Sequence, residues 1–235
     1  MIKKALEYLL DLKKPEILTI HGAPYTDKQL NRVYDVMATP IETTTLTSLV
    51  DYIKTDIDAL SIDPMFIHVV SPGEVVLISE LNDDLSRDKY MKCEAMLPNN
   101  IRYARYVPAE EFNIMLQSSF VDTPDKALLL KVTGLIQEKI IKETGDDGIS
   151  QQATIKSGIA KIDDVIVPNP VTLAPYRTFP EIEQPESRFI FRMQTGPQAA
   201  LFEADGGAWR NEAMVRIKSW LEERLVDYEN IKIIS

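Results

Sequence analysis

The fold is decided by the stretch FIFRMQTGPQAALFEADGGAW, residues 189–209. Its two apolar runs predict a strand, a turn and a second strand, and an amphipathic helix begins at Trp209. Glu203 and Asp205 stand two residues apart, so a strand would project both carboxylates from one face. The Gly206-Gly207 pair supplies a turn that needs positive φ. This join is therefore either a binding site or a structural corner.

Two interpretations of the Glu203 and Asp205 pair stay open. In the first, which is favoured, Asp205 is a capping carboxylate for the next helix and the glycines form its entry turn. In the second, the two carboxylates bind Mg²⁺ in a metal-dependent enzyme that acts on nucleic acid or a nucleotide. No Lys or His stands at a spacing suited to a catalytic base. We therefore expect no catalytic residue and no other cofactor.

The composition indicates a globular, acidic chain. Its 235 residues are 45% hydrophobic, which supports an ordinary core without metal or disulfide staples. Asp and Glu number 36 against 26 Lys and Arg, so the formal charge is 26 − 36 = −10. A field of that sign repels phosphate at long range, so binding to duplex DNA is not expected.

Two further features indicate the cellular location. Cys93 is the only cysteine, so no intramolecular disulfide can form and a reducing compartment fits the chain. No apolar stretch approaches the roughly 20 residues that cross a bilayer. The run after Lys3 and Lys4 reads as a helix with acidic residues, not as a signal peptide. We expect a soluble, cytoplasmic protein without a membrane partner.

Strand and helix patterns follow one another irregularly along the chain. Helices are predicted over 2–13, from about residue 45, over 108–120, over 124–143 and from residue 209. Strands are predicted at 16–20, 66–70, 74–79, 189–193, 199–202 and 231–234. Without regular βαβ alternation, this pattern predicts an α+β fold, a mainly antiparallel sheet with several helices packed on it. We expect one domain over residues 1–235, with a subdivision near residue 145 as the alternative.

Prolines are frequent between residues 168 and 186. They deny backbone donors to a sheet, and a loop of this length is uncommon in a compact domain unless it is functional or reaches a neighbour. We therefore predict an extended arm over 168–186. Its anchors, and the candidate interface residues, are Tyr176 and Phe179.

Several motifs resemble the YfdQ-like family of uncharacterised proteins encoded by phages and prophages. They are GDDGISQ (145–151), VPNPVTL (167–173), PYRTF (175–179), QPES (184–187), FIFR (189–192) and LFEADGGAW (201–209). The resemblance runs through most of the chain and is clearest from Gly145 onward. It implies a phage origin and work inside an infected bacterial cell, and it brings no catalytic or ligand-binding residues to this sequence.

No GxSxG elbow, Walker loop or GxGxxG motif is present, so the common routes of acyl transfer and nucleotide hydrolysis lose support. The amphipathic N-terminal helix, the predicted arm and the last strand, which could pair with a neighbour's sheet edge, favour association instead. We expect a homo-oligomeric structural or interaction protein, a ring or a cage, and an enzyme is not favoured. A further alternative is an inhibitor that sequesters a host defence component.

Overall fold

The computed structural model describes residues 3, 15–20, 23–26, 39–60, 63–82, 85–137, 144–146, 151–157, 160–167, 169–194 and 196–235. The chain forms two compact units, Met1–Met37 and Ala38–Ser235. The helix predicted over 2–13 lies outside the described residues except at Lys3, which is helical. One domain over 1–235, or a subdivision near residue 145, stays a prediction.

The described helices are α1 (Leu46–Thr55), α2 (Ala109–Ser119), α3 (Pro124–Gln137) and α4 (Trp209–Arg224). The described strands are β1 (Ile17–Ile20), β2 (Ala23–Thr26), β3 (Ile41–Thr43), β4 (Met65–Ser71), β5 (Glu74–Ser79), β6 (Lys89–Glu94), β7 (Val107–Pro108), β8 (Thr144–Asp146), β9 (Gln151–Ser157), β10 (Ala160–Val167), β11 (Val171–Leu173), β12 (Ser187–Gln194), β13 (Gln198–Glu203) and β14 (Ile231–Ile234). Most strand pairs are antiparallel, and helices pack on the sheets, so the predicted α+β class is confirmed.

The unit Met1–Met37 contains a hairpin. Strands β1 and β2 pair antiparallel, with Ile17 opposite Thr26, and the strand predicted at 16–20 is confirmed. The apolar side chains of Ile17, Leu18 and Tyr25 are exposed in this hairpin.

Local signals place the starts of two helices in the unit Ala38–Ser235. The Thr45 hydroxyl accepts a hydrogen bond from the Ser48 N–H at 3.4 Å at the start of α1. The Thr123 hydroxyl accepts one from the Lys126 N–H at 3.1 Å at the start of α3. Both are side-chain caps that satisfy a backbone donor otherwise left without a partner.

A five-stranded sheet in the order β14-β4-β5-β6-β3 carries the first core. Along β4 the alternate residues Met65, Ile67 and Val69 are buried, as the two-residue period of a strand requires. They pack against residues of α1 and α4, among them Leu49, Ile53, Ile217 and Leu221. The inner strand pairs are antiparallel, whereas β14 with β4 and β3 with β6 pair in parallel.

A four-stranded antiparallel sheet in the order β11-β12-β13-β7 carries the second core. Helices α2 and α3 supply Phe112, Leu116 and Leu129 to it, and β12 supplies Phe189 and Phe191. A third sheet has the order β10-β9-β8. The two cores therefore belong to different sheets of the same compact unit.

An extended arm over 168–186 that reaches a neighbour stays a prediction, and the described part of this segment, from residue 169, packs against its own chain. Within residues 169–186, β11 joins the second sheet, and Phe179 and Ile182 are buried in the first core. The Gln184 side chain bonds to four backbone groups of this segment. Its oxygen accepts from the Arg177 and Thr178 N–H groups at 2.8 and 3.2 Å, and its nitrogen donates to two carbonyls, each at 3.1 Å. The segment is thus irregular yet packed against its own chain.

Candidate functional site

The corner between β13 and α4 has the predicted glycine geometry. Gly206 and Gly207 have φ values of 64° and 81°, a backbone conformation that residues with a side chain rarely adopt. The two glycines therefore permit the sharp entry into α4.

The Asp205 carboxylate binds the backbone at this corner, though not as the residue next to the helix. The N-cap position is Ala208, which has no side-chain bond. Asp205 Oδ1 accepts from the Gly207 N–H at 3.0 Å. Asp205 therefore stabilises the glycine turn that precedes α4, and among the residues that it describes the structure shows no side-chain cap on the helix itself.

A buried hydroxyl holds the other side of the same carboxylate. Ser187, at the start of β12, donates its O–H to Asp205 Oδ2 at 2.5 Å. Burial alone would raise the pKa of Asp205, but the bonds from Ser187 and Gly207 and the charge of Arg177 outweigh it and hold that pKa below its ordinary value. Asp205 is therefore ionised at neutral pH.

Arg177 is the residue around which the corner is organised. Its side chain is 7% exposed, and its Nη1 lies 3.5 Å from Glu203 Oε1. Its Nη2 donates to the Pro185 carbonyl at 3.1 Å and to the Ser187 hydroxyl. Burial lowers the pKa of Arg177, and the nearby carboxylates oppose that shift. A guanidinium stays charged under these conditions, so the corner contains a buried cation.

Trp209 stands between two guanidinium groups at the start of α4. The Cζ of Arg177 lies 4.0 Å from the ring centroid, and the Cζ of the exposed Arg210 lies 5.0 Å from it. Such contacts are stronger when the cation is desolvated. The ring therefore ties α4 to the segment that contains Arg177.

The metal interpretation meets an electrostatic obstacle at this corner. Glu203 and Asp205 share the positive charge of Arg177, so a cation would have to displace or tolerate the guanidinium. In the part of the chain that the structure describes, no group of three or more His, Cys, Asp or Glu side chains could hold a metal ion. A Mg²⁺ site at Glu203 and Asp205 stays a prediction.

Sequence reasoning did not find Arg177, Ser187 or Gln184. The usable signal was weak: a single cation in a segment dominated by prolines and apolar residues. Their hydrogen-bond partners lie between two and 26 residues away along the chain, most of them five residues away or more, so no local pattern marks them. They make the corner a compensated charge cluster that joins β12, β13, α4 and the segment 177–187.

The two predicted interface residues have different environments. Tyr176 is 42% exposed, and its part in an interface stays a prediction. Phe179 is fully buried in the first core of its own chain, which corrects its assignment to an interface. The aromatic ring fills the core because it stands where α1, α4 and the five-stranded sheet meet.

The five-stranded sheet has two free edges. Strands β14 and β3 stand at its opposite ends, and within the described residues neither has a partner strand on its outer side. Beside β14 an open groove is lined by the charged residues Glu222, Glu229 and Lys232 together with Leu225, Val226, Tyr228, Ile231 and Ile233, and Val226 is 72% exposed. Edge strands present unpaired N–H and C=O groups, so both edges are templates for another strand.

Two general findings complete this description. None of the described helices is both long enough and apolar enough to pass through a membrane.

Comparison of the chain with protein-family models, with curated proteins and with solved structures finds no match. The function must therefore be argued from the geometry of the chain itself.

Proposed function

We propose that this chain is a phage-encoded accessory protein that works by assembling with copies of itself, as a ring or a cage, in the cytoplasm of the infected cell. The observation that carries the proposal is that both edges of the five-stranded sheet have no partner strand among the residues that the structure describes. The resemblance to the YfdQ-like family supports the phage origin.

Open edges of this kind are ordinarily covered or blocked in monomeric proteins. Here the outer end of β14 carries Ile234, which is 46% exposed, and Ile41 in β3 is exposed to the same extent, 46%. A strand added at either edge would satisfy backbone groups and cover apolar surface at once. The energetic gain from association is therefore available at both ends of one sheet.

Two different edges on one sheet favour a head-to-tail contact. A contact between unlike surfaces repeats from copy to copy, and it closes into a ring when the rotation per copy allows it. The charge cluster at Arg177 supports the same function indirectly. Its side chains bond to one another and hold α4 in place, which is a structural role.

The metal-dependent enzyme and the inhibitor of a host defence component stay predictions.

The mass of the particle in solution tests the proposal. Size-exclusion chromatography with light scattering, and mass photometry at lower concentration, should give a closed multiple of the 26.6 kDa chain. The fraction assembled should rise with protein concentration, because association follows mass action. A single species of 26.6 kDa at micromolar concentration would refute assembly.

A further inference from the structure

The two free edges of the five-stranded sheet run in the same direction. Strand β14 is parallel to β4, which is antiparallel to β5; β5 is antiparallel to β6, and β3 is parallel to β6. Two reversals cancel, so β14 and β3 point the same way. A second copy in the same orientation, placed beside the first, would therefore bring β14 against β3 in parallel and continue the sheet.

The residues on these edges divide between the two faces of the sheet. In β14, Ile231 and Ile233 pair with the buried Met65 and Ile67, so they lie on the helix-covered face, and Lys232 lies on the other. In β3, Ile41 and Thr43 pair with the buried Met91 and Cys93, so Glu42 lies on the same face as Lys232.

The charges on these edges are complementary, since β3 carries Glu42 and β14 carries Lys232. Within the described residues Glu42 forms no hydrogen bond or close ion pair; it lies opposite Lys92 on the adjacent strand, whose ammonium is bonded to Glu94 at 2.8 Å and also interacts at longer range with the Glu42 charge. The Lys232 ammonium donates to a backbone carbonyl, that of Glu229, at 3.0 Å, and among the described residues it forms no ion pair with a carboxylate. The Lys232 ammonium on one edge and the Glu42 carboxylate on the other can therefore form an ion pair when the two edges meet.

We infer that β14 of one copy pairs in parallel with β3 of the next, with Lys232 opposite Glu42. The inference rests on the proposed self-assembly and names its contact. This register places Ile231 opposite Ile41 and Ile233 opposite Thr43 on the helix-covered face. A shift by one residue would move the apolar side chains to the wrong face.

The groove beside β14 fits the same arrangement. In this register Ile41 of the neighbouring copy lies beside Ile231 on the helix-covered side, where the groove offers Leu225 and Val226. An alternative contact, β14 with β14 of another copy, would leave Glu42 without a partner and bring two Lys232 side chains onto adjacent strands. Charge complementarity therefore favours β3 as the occupant.

Charge reversal tests the pairing in the full chain. Lys232→Glu and Glu42→Lys should each raise the concentration at half-assembly about tenfold, because like charges opposite each other on adjacent strands repel. The double variant K232E/E42K should assemble within about threefold of the natural chain, since the pair is restored in reverse. Both side chains are exposed, and circular dichroism controls for folding.

Engineered cysteines give an independent readout. Directly opposite residues on adjacent strands lie about 5 Å apart between Cα atoms, which a disulfide can span. Under mild oxidation a mixture of Lys232→Cys and Glu42→Cys chains should give a covalent dimer, and neither variant should do so alone. The natural Cys93 is buried and serves as the background control.

The outcomes separate the pairing from the assembly. A natural chain that assembles, with charge reversals that have no effect and no mixed disulfide, would overturn the pairing and leave the assembly standing. Cross-linking by Lys232→Cys alone would overturn it in favour of a contact between two β14 strands. A natural chain that is monomeric at micromolar concentration would overturn the proposed function itself.

Discussion

Replacement of Arg177 by Ala should destabilise the unit Ala38–Ser235 by removing the cation at the corner. The side chain is 7% exposed and is bound by Glu203, by the Pro185 carbonyl and by the face of Trp209. Alanine leaves the carboxylates of Glu203 and Asp205 without their counter-charge. The variant also leaves an empty volume beside the Trp209 ring.

The magnitude follows from the burial of each partner. Removal of one member of a buried ion pair costs about 3–5 kcal/mol. Glu203 is 32% exposed, so water screens part of its charge and the lower end applies. We expect a loss of about 3 kcal/mol in the free energy of unfolding. For a chain of this length that corresponds to a fall of roughly 6–12 °C in Tm.

The assay is chemical and thermal denaturation followed by circular dichroism, with Arg210→Ala as the matched control. Arg210 faces the same ring from an exposed position, so its loss should cost less than about 1 kcal/mol. Arg177→Lys should fall between the two variants, because it keeps the charge and loses the planar fork. Equal stability of the Arg177→Ala and Arg210→Ala variants would refute the reasoning.

Two further predictions concern titratable groups. The pKa of Asp205 in the folded state lies below its ordinary value of 3.8, so its ionised form stabilises the fold above that value and the stabilisation is lost as the pH falls through the folded pKa. Between about pH 5 and pH 3, the denaturation midpoint should therefore fall more steeply for the natural chain than for Asp205→Asn, and parallel curves would contradict this. Burial raises the pKa of Cys93 to about 12, with a smaller contribution from Glu181. Iodoacetamide should therefore label Cys93 only after denaturation, as mass spectrometry would show, and rapid labelling of the native protein would argue against a buried thiol.

Structures that depend on near neighbours were predictable from the sequence. Thr123, Pro124 and Asp125 predicted the start of α3, and the Thr123 hydroxyl indeed accepts the Lys126 N–H. The Ser71-Pro72-Gly73 run predicted the turn between β4 and β5, which pair antiparallel across it. In each case the bonds join residues a few positions apart, so the local pattern contains both partners.

The packing of the proline-rich segment could not be predicted from its local sequence. Its prolines predicted that it would not enter a sheet, and the extended arm was inferred from that; β11, between Pro170 and Pro175, nevertheless pairs with β12. The Gln184 side chain bonds to backbone groups of the segment, and Phe179 anchors the segment in a core made by distant elements. A sequence pattern shows which backbone groups lack a partner, but not which side chain reaches them.

The sequence by itself determined the α+β class, most helix and strand positions and the glycine turn at residues 206 and 207, because periodicity, caps and backbone sterics act over a few residues. Only the tertiary structure decided that Arg177 joins Glu203 and Asp205, and that β14 and β3 stand at opposite edges of one sheet. Those arrangements unite residues that are far apart in the chain, and they depend on which surfaces the whole fold buries. The local sequence thus predicts the turn that contains Glu203 and Asp205. The electrostatic environment of these two carboxylates depends on Arg177, which is distant in the sequence and close in space.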